Sequence, residues 1–213
     1  MAKFPNSPGF AALSALAPAI HVLAQGSTLA RVYYTRSPYL QAWDQLRYVG
    51  PLNSRWDHHV PDVEGNPRAQ HRGIYYAAAD AKTCLAEVFQ ATRRIDRVFQ
   101  APWLVVFETQ AELNLLDLTG DFATRMGASM AIHSGSRSRA RGWARDLYDA
   151  YSEVQGILYA ASMHGGQPAI ALNERALMRP LFPEHPLFHR ALSDDVMVDA
   201  LKHAATALGY ALR

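Results

Sequence analysis

Arg31 stands out by type and setting, while Ser162 and Glu87 each have an ordinary structural reading beside a functional one. Arg31 sits among Leu29, Val32 and Tyr34 in a segment with strand character. A guanidinium buried there needs an anionic partner, for which a phosphate or an internal carboxylate would serve; on an edge strand it would face water instead. Ser162 ends an apolar run and opens the sequence Met163, His164, Gly165, Gly166, so its hydroxyl can meet a ligand or cap the local backbone. The two glycines permit close approach of the backbone to a ligand. Glu87 falls at helical spacing beside Asp80, Thr83 and Gln90, away from Cys84, Leu85 and Val88, the position of a solvated glutamate. His58, His59 and His71 raise the question of a metal, but no Cys or carboxylate is spaced to join them, and a solvated loop is the expected setting. The chain has no GxSxG, no HExxH, no phosphate-binding P-loop and no GxGxxG followed by a suitable acidic residue, which removes the enzyme classes that depend on them.

The elements that must position these groups can be read from periodicity. A helix is expected over residues 9–23, strands over 28–34, 73–78, 103–108, 114–118, 156–160 and 169–172, and a helix from an Asp80 cap to about residue 93. Residues 137–151 and 194–208 have helical character, the latter ending at Gly209 before a final short strand. Between 37 and 72, four prolines and two glycines predict a long, irregular segment, of the kind that in compact domains is functional or mobile. Strands and helices alternate without a βαβ period. An α+β fold is therefore expected, a single domain with a mixed or mainly antiparallel sheet and flanking helices.

At 213 residues, with 49% hydrophobic and 19% charged side chains, the chain can bury a substantial core and is unlike a disordered one. No repeat or Ser/Gly linker divides it, so the polar groups can share one site. The net charge of +2 is too small to point to nucleic acid. The lone Cys84 can form no intramolecular disulfide and offers no metal cluster, which fits a reducing cytosol. Pro18 and His21 interrupt the Ala/Leu-rich stretch near the start, against a secretory signal, and no run of about 18 apolar residues suggests a membrane span. A soluble, cytoplasmic protein is expected.

Taken together, the segments Leu29 to Val32 (LARV), Gly73 to Phe89 (GIYYAAADAKTCLAEVF) and Gly156 to Ser162 (GILYAAS) resemble the RES family, named for an Arg near the first strand, a Glu in the first half and a later Ser. Here these are Arg31, Glu87 and Ser162. Ser54, Arg55 and Trp56 are similar to the family's Gly-Arg-aromatic element, with Ser54 in place of the Gly, and Tyr76 matches a family tyrosine. Gln155, where an acidic residue is common, and Met163, where many relatives carry Arg after the serine, depart from the pattern. The resemblance divides the chain into an N-terminal helical extension, 1–27, and a catalytic domain, 28–213.

The resemblance implies a fold like that of ADP-ribosyltransferase toxins and an activity on NAD as substrate: hydrolysis, phosphorolysis with inorganic phosphate as co-substrate, or ADP-ribosyl transfer to a macromolecule. It also implies a protein antitoxin as partner, and requires no metal and no bound cofactor. A catalytically silent binding module is the reading from another class. In the enzyme readings, nicotinamide leaves a cationic ring as a neutral molecule, so no general acid is needed. Glu87 would stabilise the oxocarbenium-like ribose or orient the nucleophile. Arg31 and Arg55 would hold the diphosphate or phosphate, Ser162 would position a ribose or phosphate oxygen, and Tyr76 would supply an aromatic wall or a hydroxyl.

Overall fold

The computed structural model describes residues 4–213. Helix α1 (Phe10–Ser14) leads into β1 (Ile20–Leu23), followed by β2 (Thr28–Tyr34), β3 (Arg47–Gly50), β4 (Arg68–Ala78) and α2 (Ala81–Val88). Next come β5 (Arg94–Ile95), β6 (Pro102–Glu108), β7 (Leu113–Asp117), the short helices α3 (Phe122–Arg125) and α4 (Ala131–Ser134), and the long α5 (Arg137–Ala150). The hairpin of β8 (Gly156–Ala160) and β9 (Pro168–Asn173) is followed by β10 (Phe188–Ala191), α6 (Val198–Leu208) and β11 (Ala211–Leu212). Among the described residues, nine strands form one sheet in the order β1-β7-β8-β9-β4-β2-β6-β10, with β3 joined to β4. Its pairs are antiparallel apart from β7 with β8, and β5 and β11 make a separate parallel pair. The fold is thus α+β with a mixed, mainly antiparallel sheet and flanking helices.

Alternation along β2 shows why both faces of the sheet are covered. Ala30 and Val32 join the side that packs on Leu85 of α2, Trp143 and Leu147 of α5 and Leu201 of α6. Leu29 and Tyr33 join the opposite side with Tyr75, Phe107 and Leu172, closed over by Leu46, Leu181, Trp43 and Phe182. In α5 the stripe Ala140, Trp143, Ala144 and Leu147 recurs at helical spacing and is buried. Gly209 ends α6 at φ 66°, the left-handed conformation that glycine adopts without strain. No helix among the described residues is long and apolar enough to cross a membrane.

The N-terminal expectation needs correction. The helix expected over 9–23 is confined to Phe10–Ser14, and β1 pairs with β7 from Ile20↔Leu116 to Leu23↔Leu113. Pro18 cannot continue the hydrogen-bond ladder of a helix and restricts the residue before it, while the free edge of β7 offers partners for the chain that follows. The supposed helical extension therefore contributes an edge strand to the sheet, and its Leu13 is fully buried; residues 1–3 lie outside the described residues. The irregular stretch 37–72 also holds more structure than expected, namely β3 and the first part of β4. Helix α2 ends at Val88 rather than near 93.

Candidate active site

The site exists because two neighbouring strands part. β2 pairs with β6 along its whole length, Thr28↔Glu108 to Tyr34↔Pro102, but with β4 only at Ala30↔Ala78. Beyond Ala30 the strands separate, and a cavity of about 400 Å³ opens between them. Arg31 and Tyr34 of β2, Arg55 of the β3–β4 connection, Tyr76 of β4, Glu87 of α2, Arg137 at the start of α5 and Tyr159 of β8 all line it. Arg31, Arg55, Tyr76 and Glu87, distant in sequence, thus share one cavity, and Ser162 joins them through Glu87.

Glu87 is half-buried rather than solvated, because the turn between β8 and β9 covers that face of α2. Its Oε1 accepts the Met163 amide at 3.0 Å and the Ser162 hydroxyl at 3.3 Å. Its Oε2 lies 3.4 Å from the Gln90 amide, which also donates to the Glu87 carbonyl at 2.6 Å. Arg31 is 7% exposed and lies on a central strand, so neither the edge-strand reading nor the internal salt bridge holds. No ion pair among the described residues engages it; the guanidinium stacks 4.0 Å over the Tyr75 ring and donates to the Gln45 carbonyl at 3.2 Å. Arg55 donates to the carbonyls of Ile132, at 3.3 Å, and Gly135, at 2.7 Å. Burial and the like charge of Arg137 hold its pKa below the ordinary value, against the opposing pull of Glu87. Burial raises Tyr76 well above the usual tyrosine range, against a smaller opposing contribution from the Ser54 side chain.

The loop carrying Arg55 is held by a fully buried carboxylate. Asp57 accepts from Arg47 at 2.7 Å and from the Leu52 amide at 2.6 Å, and its Oδ1 lies 2.5 Å from His59 Nδ1. Burial pushes its carboxyl up, but the His59 bond, Arg47 and the Leu52 amide outweigh this and bring it down to about 2. His58 and His59, expected in a solvated loop, are instead 5% and 0% exposed. His58 stacks on Tyr148 at 4.5 Å, and burial lowers its pKa to about 4. No group of three or more His, Cys, Asp or Glu able to hold a metal lies together among the described residues. Cys84 is buried with its thiol directed to the Ala30 carbonyl at 2.9 Å, and burial raises it to about 12.

Several further residues belong to the site. Tyr159 lies inside GILYAAS, three residues before Ser162, in a segment whose serine alone suggests a role, and burial and Glu87 push its hydroxyl pKa up. Arg137 occupies the first turn of a helix, where a cation opposes the helix dipole, and that misplacement was the available signal. Arg47 and Asp57 could be recognised only from their partners.

The RES domain family model matches residues 28–191, and the chain belongs to that family. Among solved structures it is similar to a chain of the crystal structure of the M. tuberculosis MbcT-MbcA toxin-antitoxin complex, with 16% identity and a TM-score of 0.54 over 84% of this chain and 90% of that one. No curated protein matches it.

Proposed function

We propose that this protein cleaves the nicotinamide–ribose bond of NAD, passing the ADP-ribosyl group to phosphate or water, and that it acts as a toxin restrained by a cognate protein antitoxin. The observation that carries this reading is the charge arrangement in the cavity. Among the described residues four guanidinium groups border it, of which Arg47 alone has a carboxylate partner, Asp57. Arg31, Arg55 and Arg137 make no ion pair among the described residues, while the single cavity carboxylate, Glu87, is oriented by Ser162 and Met163. Arginines without counter-charges suit a diphosphate, and a fixed carboxylate suits a ribose that becomes cationic.

In the reaction, the ribose C1′–N bond breaks and its electron pair leaves with neutral nicotinamide. An acceptor oxygen then forms the new bond to C1′, and when the acceptor is water its proton is lost to solvent or to Glu87. NAD brings two phosphate charges against three unpaired guanidiniums, and its cationic ring balances Glu87. The one positive charge left over favours an anionic acceptor, inorganic phosphate, over water. A partner of the kind named in the MbcT-MbcA complex would keep such an enzyme from draining a shared cofactor.

Mass spectrometry of products formed from NAD, with and without inorganic phosphate, tests the reading. ADP-ribose 1″-phosphate or free ADP-ribose is expected together with nicotinamide. Label on a macromolecule would indicate transfer instead, and intact NAD at stoichiometric enzyme would refute the reading. Expression without an antitoxin should lower cellular NAD and stop growth.

A further inference from the structure

Glu87 depends on the tip of the β8–β9 hairpin, which supplies both the Met163 amide and the Ser162 hydroxyl to its Oε1. That tip is a glycine turn with Gly165 and Gly166 at φ 57° and 76°, closed by its own backbone bonds Gly166 N to Ala161 O and Gln167 N to His164 O. Besides the Glu87 contacts, a second side-chain link ties the tip to α2: His164 Nδ1 lies 2.8 Å from Thr83 Oγ1. Thr83 is fully buried and sits four residues before Glu87, so the two side chains lie on one face of the helix, one turn apart.

The proton inventory fixes the direction of this link. Asp80 accepts from both the Thr83 amide, at 2.8 Å, and the Thr83 hydroxyl, at 2.7 Å. Burial alone would raise its carboxyl, but these bonds and the nearby His164 ring hold it below the ordinary value, so it is an ionised acceptor. The hydroxyl spends its only proton on Asp80, and His164 Nδ1–H must therefore be the donor to Thr83. Asp80, beyond capping α2, thus orients a hydroxyl that receives the hairpin tip.

We propose that Thr83 and His164 form a clamp that sets the position of Glu87 by pinning the hairpin tip to the helix that carries it. Both are positioning residues, and the proposal rests on reading Glu87 as the carboxylate that acts on NAD. Two variants test it. Thr83→Val removes the hydroxyl with little change in shape and leaves Asp80 capping the helix amide. His164→Ala removes the ring from a half-buried turn position. In either folded variant kcat should fall about tenfold with KM nearly unchanged, because a carboxylate displaced by a fraction of an ångström loses its effect on the transition state. The double variant should lose no more than either single one, and Thr83→Ser should restore turnover. Amide hydrogen exchange at Met163 should speed up about tenfold in both variants, a readout that needs no substrate. If the wild-type protein leaves NAD intact, the functional reading fails while Met163 exchange still decides the clamp. Unchanged Met163 exchange in folded His164→Ala would overturn the proposal, as would additive losses of kcat in the double variant.

Discussion

Replacing Glu87 by Gln removes a charge from the cavity while leaving its supports nearly intact. The substituted side chain keeps a carbonyl oxygen for the Met163 amide and the Ser162 hydroxyl, which now lie 3.0 and 3.3 Å from Oε1. Its new NH₂ would oppose only the 3.4 Å contact from Gln90, whose amide retains its 2.6 Å bond to the backbone carbonyl of residue 87. Stability should therefore change by less than about 1 kcal/mol. The charge matters far more in the transition state. A carboxylate about 5 Å from the developing ribose cation, at an effective dielectric constant of about 20, is worth about 3 kcal/mol. That corresponds to a fall in kcat of about a hundredfold or more. KM should change little, because in bound NAD the attraction of Glu87 for the cationic ring is offset by its opposition to the arginines that hold the diphosphate. NAD consumption at saturating substrate, measured alongside thermal unfolding, checks both halves. A folded Glu87→Gln protein with kcat within about threefold of wild type would refute the electrostatic role.

Arg31→Met should leave the melting temperature unchanged or higher, since it removes a buried charge with no ion-pair partner, yet weaken ADP-ribose binding in calorimetry by about tenfold or more. Asp57→Asn should strand the Arg47 guanidinium at 10% side-chain exposure and cost about 3–5 kcal/mol, read as a clear drop in melting temperature. His58 gives a pH signature: its folded pKa of about 4 lies below the ordinary 6.5, so between those values the unfolded chain binds the extra proton and stability falls as the pH falls. The loss amounts to about 3 kcal/mol on going from pH 7 to pH 4, and His58→Phe, which can still stack on Tyr148, should remove that part of the slope in denaturant titrations.

β2 and β8, both lining the cavity, are legible because each carries a dense apolar run, and both have the expected bounds; β4, expected from residue 73, begins at Arg68, where the chain is polar, and α5 differs by one residue. The helix expected over 9–23 was misread because its Ala and Leu content favours a helix locally, whereas the decisive partner, the edge of β7, lies some 90 residues on. Glu87 shows the same limit at the site. Its period correctly set it apart from Cys84 and Leu85, but solvation of that face is decided by the β8–β9 turn, which no local pattern reveals. His58 and His59 were misplaced in solvent because a Pro/Gly-rich segment reads as surface loop; the buried Asp57 that draws His59 inward sits two residues away, yet its burial depends on Arg47 from β3.

The contrast among the cavity arginines ties fold to function. Arg47 is neutralised by Asp57, and that pair, with the Leu52 amide, fixes the loop on which Arg55 stands. Arg55 faces the like charge of Arg137, and Arg31 lines the same cavity; among the described residues the three are held by backbone carbonyls and a tyrosine ring. Mutual repulsion and desolvation make this arrangement unfavourable in the empty protein, so the surrounding sheet and helices must over-determine it. A ligand that supplies anionic oxygens relieves both costs at once. Phosphate or ADP-ribose should therefore stabilise the fold in proportion to the logarithm of its concentration above Kd, with most of that gain lost when the unpaired arginines are removed.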